Sequence, residues 1–224
     1  MDHETRELKF VATPAKGEVS ALIVRPAGAS HLLVLGHGAS TTMRHATLEK
    51  IAQNLANVDI ATLRYNFPYS ENGRGRDSTA TCAATVRSAV AAAQKVASGL
   101  PLLAGGHSFG GRMTSTAASE APLDGVMGLV FSSFPLHLPG RPDMKRAEHL
   151  ANVTVPMLFL SGTRDELATL ELLQSVVKSL GQRATLYLLD TANHSYKVLK
   201  KTRVSNEDVF VEMARAVRKW VDKL

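Results

Sequence analysis

The sequence predicts a three-layer α/β fold, in which helices cover both faces of a mostly parallel, eight-stranded sheet that begins with an antiparallel hairpin. Three observations carry that expectation. Short apolar runs rich in β-branched residues recur at 7–12, 19–25, 32–36, 60–65, 102–106, 126–132, 156–161 and 185–189. From residue 32 onward, stretches with helical spacing separate most of them, the pattern of right-handed crossovers between parallel strands. A chain of 224 residues that is 45% hydrophobic can bury a substantial core without staples, so residues 1–224 are expected to form a single domain.

The first two runs are joined by a turn containing Pro14 and Gly17, too short for a crossover, so they pair antiparallel. Residues 79–98 place Val86, Val90, Ala93 and Ala97 along one face, with Arg87, Gln94 and Lys95 off it, as an amphipathic helix requires. A helical stretch runs from Arg112 after the fifth strand. Residues 169–180 form another, stopped by Gly181, a residue free to close the last turn in a left-handed conformation. The final helix, 206–224, is expected to open on a capping box from Ser205 to Asp208 and to align Val209, Met213, Ala216 and Trp220.

Composition excludes several classes. A lone cysteine, Cys82, forbids an internal disulfide and a Cys-rich zinc module. Residues 1–9 read MDHETRELK, without an apolar leader core, and no run approaches the roughly 18 apolar residues of a membrane span, so a cytoplasmic chain off the membrane is expected. The net charge of +6 is concentrated partly in the last thirty residues, where Tyr196, Phe210 and Trp220 are the interleaved aromatics. Phe210 and Trp220 fall on the apolar side of the helix, so nucleic-acid binding is not expected. No HExxH and no paired cysteines occur and the histidines are scattered, so neither a metal nor another cofactor is expected.

The chemistry centres on Gly105-Gly106-His107-Ser108-Phe109-Gly110-Gly111, between a strand and a helix. It contains G-x-S-x-G at Gly106, Ser108 and Gly110. A serine on so tight a strand-to-helix turn is tolerable only if its neighbours lack side chains, and the turn exposes its hydroxyl at the carboxyl end of the sheet. That hydroxyl is a weak nucleophile without a base, and the base needs a carboxylate to orient it. Asp165 follows the strand at 156–161, and His194 follows the last strand, so both stand where an open parallel sheet gathers functional groups. Glu166 and Asp190 are the rival acids. The order Ser108, Asp165, His194 suits a nucleophile elbow. For a developing oxyanion, one expected donor is the N–H of Phe109, next to the nucleophile; in the loop Gly36-His37-Gly38-Ala39-Ser40 the His-Gly step resembles the oxyanion loop of esterases, which implies the Ala39 N–H as the other.

Together these residues resemble the α/β-hydrolase superfamily over nearly the whole chain. LGHGAS (35–40), RYNFPY (64–69), GGHSFGGR (105–112), PLHLPGRPD (135–143), SGTRDE (161–166) and NHSY (193–196) are similar to a compact, cap-less branch of predicted hydrolases related to dienelactone hydrolases and to testis-expressed α/β-hydrolase-like proteins. Dienelactone hydrolases proper carry cysteine where this chain has Ser108, and the compact branch often has Arg-Ser-Met where this chain has His107-Ser108-Phe109. The resemblance implies the α/β-hydrolase fold and a serine hydrolase of the carboxylic-ester class. Such enzymes usually insert a cap after the sixth strand, but residues 133–155 leave room only for a loop or short helix.

That loop carries His137, Arg141, Lys145, Arg146 and His149, and the loop 66–77 carries Tyr69, Glu71, Arg74 and Arg76. Both belong to the carboxyl edge of the sheet. The substrate contacts expected from them and from the oxyanion loop are His37, Tyr69, Arg74 and Arg141. The expected activity is cleavage of an ester, lactone or related acyl bond of a small molecule through an acyl-enzyme, by a monomer or homodimer. A non-catalytic interaction module on the same scaffold, or an acyltransferase using the same three residues, is the alternative.

Overall fold

The computed structural model describes residues 3–73, 75–97 and 99–224. Strands β1 (His3–Thr13) and β2 (Gly17–Pro26) form the hairpin, whose turn uses Gly17 at φ 75°. β3 (His31–Gly36), α1 (Ala46–Ala56), β4 (Ile60–Tyr65), the single turn α2 (Pro68–Glu71) and α3 (Thr79–Val96) follow. β5 (Leu102–His107) is separated from α4 (Phe109–Glu120) by Ser108 alone. The chain continues through β6 (Val126–Ser132), β7 (Met157–Gly162), α5 (Leu170–Leu180), β8 (Ala184–Leu189) and α6 (Val209–Val221).

The strands form one sheet in the order β1-β2-β4-β3-β5-β6-β7-β8. β2 is antiparallel to both β1 and β4, and every pair from β4 to β8 is parallel. Alternating side chains of the central strands enter two separate cores: Leu32 and Val34 join the one that holds residues of α3, α4 and α5, whereas Leu33 and Leu35 join the one that holds residues of α1 and α6. Burial on both faces explains why the central strands read as continuous apolar runs rather than as alternating ones.

Several boundaries differ from expectation for local reasons. β1 starts four residues earlier than the apolar run, because its polar first half still pairs with β2 from His3 against Pro26 onward. The helix after the nucleophile starts at Phe109 rather than near Arg112, since the glycines that favour loops elsewhere are required here by packing. α6 starts at Val209, with Asp208 as the residue whose carboxylate accepts the Phe210 N–H at 2.9 Å. Ser205 instead accepts from Glu207, while Arg203 and Val204 are tied to Asp190, so 203–207 stays a loop. α1 is capped by His45, whose ring accepts the Thr47 N–H.

Between β6 and β7 there is no lid. The segment holds a bridge between Leu138 and Arg141 and a 3₁₀ segment, Lys145–Asn152, and leaves the carboxyl edge of β5 accessible.

Glycines bring that edge together. A Cβ on Gly162, at the end of β7, would lie 2.1 Å from the Ala192 carbonyl oxygen. The loops after β7 and β8 therefore touch backbone to backbone, and each carries one candidate site residue. Gly162→Ala is expected to lower stability by about 2–3 kcal/mol, a loss of several degrees in thermal melting, because the clash is with main chain. Gly75→Ala, where nothing lies within 4 Å, is expected to change stability by less than about 0.5 kcal/mol. Equal melting temperatures for the two variants would contradict this.

Candidate active site

Ser108 adopts φ 53° and ψ −115°, a conformation costly for a residue with a side chain. The packing around it enforces this. A Cβ at Gly106 would meet the Gly110 carbonyl carbon at 2.5 Å, and one at Gly110 would meet the Gly36 carbonyl at 2.3 Å. β3, β5 and α4 thus press together without side chains, and the chain can turn from β5 into α4 only through a strained residue 108. Its N–H is held by the Ser132 carbonyl at 2.8 Å.

The hydroxyl that results points at His194, with Oγ 2.9 Å from Nε2. On the other side of that ring, Nδ1 lies 2.8 and 2.9 Å from the two oxygens of Asp165. A carboxylate only accepts, so Nδ1 carries the proton and Nε2 is left with a lone pair for the Ser108 hydroxyl. Asp165 is buried and is steadied by the Leu167 N–H at 2.9 Å. The structure therefore brings together the three residues selected from sequence. The rival acids lie elsewhere: Glu166 is exposed, and Asp190 accepts the Val204 N–H.

Phe109 opens α4, so its N–H is one of the unpaired donors of a helix start. Ala39 sits in a turn closed by the Thr41 N–H and hydroxyl on the Gly38 carbonyl. Outside the helix and sheet ladders, neither N–H meets a main-chain acceptor among the described residues. Both residues line, with Ser108, a cavity of about 250 Å³. Its remaining walls are apolar, from Pro135, Leu138, Pro139 and Leu167, or cationic, from Arg76, Arg112 and Arg146.

The four expected substrate contacts fare differently. His37 is fully buried and does not reach the cavity. Its Nδ1–H donates to the Gly38 carbonyl at 2.7 Å, and Nε2 accepts the Phe67 N–H at 3.1 Å, so the ring clamps the oxyanion loop to the loop after β4. Tyr69 is also buried, its ring stacked on Phe67 and edge-on to Phe109. It supports the cavity floor rather than its wall. Arg141 is exposed in the turn at Leu138 and is not among the cavity residues. Arg74 lies outside the described residues.

Sequence reasoning passed over the arginines that do line the cavity, although Arg76 and Arg146 were visible among the loop charges and Arg112 ends the GGHSFGGR motif. It also missed what supports His194. The buried His107 ring lies 5.5 Å from the His194 ring, and its Nδ1 is 3.3 Å from the Ser132 hydroxyl. That hydroxyl is 2.7 Å from the Tyr196 hydroxyl, which donates in turn to the Leu160 carbonyl. The signal available for Tyr196 was its place in NHSY.

A model of the alpha/beta hydrolase domain matches residues 29–222. The chain belongs to that family. Among solved structures, the hydrolase is similar to a dienelactone hydrolase from Anabaena variabilis, with TM-score 0.77 and 18% identity over 100% of this chain and 99% of that one. A serine hydrolase without a lid from Xanthomonas campestris superposes with TM-score 0.74 and 18% identity over 100% and 96%. Est1E from Butyrivibrio proteoclasticus gives 0.73 and 16% over 97% and 98%. At such identities the likeness is one of fold: the sheet with its N-terminal hairpin and surrounding helices is that of the α/β hydrolases. No helix among the described residues is long and apolar enough to cross a membrane.

Burial of the two structural histidines has a consequence for pH. Desolvation lowers the pKa of His37 from 6.5 to about 4. His107 is lowered to about 3 by desolvation and then by its proximity to His194. Both shifts are downward from the unfolded value, so the neutral rings contribute stability that is complete above pH ~6.5 and lost as pH falls through the folded values. Imidazole resonances followed by NMR are expected to keep both rings neutral at pH 5. A His37 ring that titrates near 6.5 would contradict its role as a buried clamp.

Proposed function

We propose that the chain is a single-domain serine hydrolase that cleaves a carboxylic ester or related acyl bond of a small molecule. The observation that carries this reading is the unbroken hydrogen-bonded line from Ser108 through His194 to Asp165, opening onto the cavity. A scaffold kept only for binding has no use for a strained serine aligned with an oriented imidazole.

In the proposed reaction, Ser108 Oγ attacks the acyl carbon while His194 Nε2 takes the hydroxyl proton. Asp165 keeps the ring in the required tautomer and stabilises the imidazolium. Negative charge moves to the carbonyl oxygen, where the N–H groups of Phe109 and Ala39 and the start of α4 favour it without reorganising. The tetrahedral intermediate collapses, the C–O bond to the leaving alcohol breaks, and His194 returns its proton to that alcohol. Water, deprotonated by the same nitrogen, then attacks the acyl-enzyme and releases the acid and free Ser108. The cavity of about 250 Å³ and its four apolar wall residues support a short acyl group. The named activities of the structural neighbours, a dienelactone hydrolase and esterases, agree with the ester class.

The test is active-site labelling with a fluorophosphonate, together with hydrolysis of p-nitrophenyl esters. Native protein is expected to take up one label, and Ser108→Ala and His194→Ala to take up none at the same exposure. Asp165→Asn is expected to lose about 10⁴-fold in kcat, because the amide no longer holds the productive tautomer. Labelling that persists in Ser108→Ala, or a folded native protein that neither labels nor turns over, would overturn the reading.

A further inference from the structure

The proposed nucleophile shares its cavity with three guanidinium groups that come from three separate elements. Arg112 lies one helical turn beyond Ser108 on α4, its N–H bonded to the Ser108 carbonyl. Arg76 precedes α3 and Arg146 belongs to the 3₁₀ segment after β6. The Cζ atoms of Arg76 and Arg112 sit 5.1 and 5.7 Å from the centre of the same Phe109 ring, whose N–H is an expected oxyanion donor.

The surroundings do not neutralise them. Arg64, Arg203, Arg215 and Arg218 each have a carboxylate within ion-pair distance. Among the described residues, no carboxylate lies within 4.0 Å of Arg76, Arg112 or Arg146. Of the acidic groups in the same segments, Asp77 is engaged by Lys16 at 2.7 Å, Asp143 accepts the Lys145 N–H, and Glu148 is exposed. The arginines are held instead by neutral contacts. Arg146 donates to the His137 carbonyl at 3.0 Å, while His137 is itself buried and anchored to Thr169 at the start of α5. His149 Nε2 lies 2.7 Å from the Ser115 hydroxyl, so the 3₁₀ segment is tied to α4 and the spacing of Arg146 and Arg112 is set. Burial lowers the pKa of Arg112, with Arg146 and Arg76 adding to the shift in the same direction. Arg112 and Arg146 are half-buried and Arg76 is exposed, and three like charges around one cavity create a positive potential that favours an anionic ligand.

We propose that the substrate of this hydrolase carries a small dianionic group, phosphoryl or paired carboxylates, that docks on Arg76, Arg112 and Arg146 while its acyl carbon meets Ser108. The proposal rests on the reading of Ser108 as nucleophile and specifies what that nucleophile acts on. A single carboxylate satisfies one guanidinium fork; a compact dianion presents enough oxygens for two or three and answers most of the local charge. The apolar lining residues Pro135, Leu138, Pro139 and Leu167 suit a short apolar connection between the anion and the ester.

The test compares esters that share a p-nitrophenol leaving group and acyl length but end in a methyl, a phosphonate or a geminal dicarboxylate, at pH 8. Native protein is expected to prefer at least one dianionic ester over the neutral one by about tenfold or more in kcat/KM. That preference is expected to fall toward one in Arg112→Gln and in Arg146→Gln. Lys178→Gln, which removes one exposed charge on α5, is expected to leave the preference as it is. Inorganic phosphate or malonate should inhibit competitively, and the stronger inhibitor identifies the dianion the site takes. A native preference at or below one, or a preference that survives both arginine substitutions in folded protein, overturns the proposal. Should the native protein cleave none of the esters, the nucleophile reading fails by itself. Titration calorimetry with phosphate and malonate then decides the anion site: heat lost in Arg112→Gln upholds it, and no heat in native protein overturns it.

Discussion

The contact among Gly36, Gly106 and Gly110 is the constraint on which the site depends. Where β3, β5 and the start of α4 meet, their backbones are closer than any side chain allows, with the Gly110 position only 2.3 Å from the Gly36 carbonyl for an added Cβ. The strand must therefore leave the sheet through one residue in a left-handed conformation, and that residue is Ser108. The same crowding sets the oxyanion loop, which begins at Gly36, beside the elbow, and it starts a helix directly after the nucleophile. Strain at one serine is thus supported by a close-packed strand and helix together with the hydrogen bonds of its own N–H and carbonyl to Ser132 and Arg112.

A second layer of neutral, buried groups holds the loops that carry the chemistry. His37 and His137 act alike: in each ring Nδ1 faces the next residue's carbonyl and Nε2 accepts a main-chain N–H from another loop. One anchors the oxyanion loop, the other the segment that replaces a lid. His107, Ser132 and Tyr196 do comparable work behind His194. These histidines share their residue type with His194, but the partner of Nε2 separates support from chemistry: a main-chain N–H for His37 and His137, the Ser108 hydroxyl for His194.

Much of this was legible in the sequence. The strands announced themselves as apolar runs, and because an open parallel sheet collects function at its carboxyl edge, Ser108, Asp165 and His194 followed from the residues after three strands. What the sequence hid was which way a loop residue turns. His37 and Tyr69 stand in the right loops, yet one faces a carbonyl of its own turn and the other stacks on Phe67 below the cavity. Arg112 was hidden by a boundary. Starting α4 near Arg112 places that side chain at a helix beginning, whereas starting it at Phe109 puts Arg112 one turn along and beside the nucleophile. Glycines caused that misplacement, because Gly110 and Gly111 disfavour a helix by propensity while the packing against Gly36 and Gly106 demands them.

The most direct measurement of the central claim is rapid acid quenching of native protein with an activated acetate ester, followed by intact mass and peptide mapping. A single added acetyl group is expected on the peptide containing Ser108, forming within the first turnover and decaying on standing as water releases it. An acetyl group on another residue, or turnover with no covalent intermediate that continues unchanged in Ser108→Ala, would contradict it.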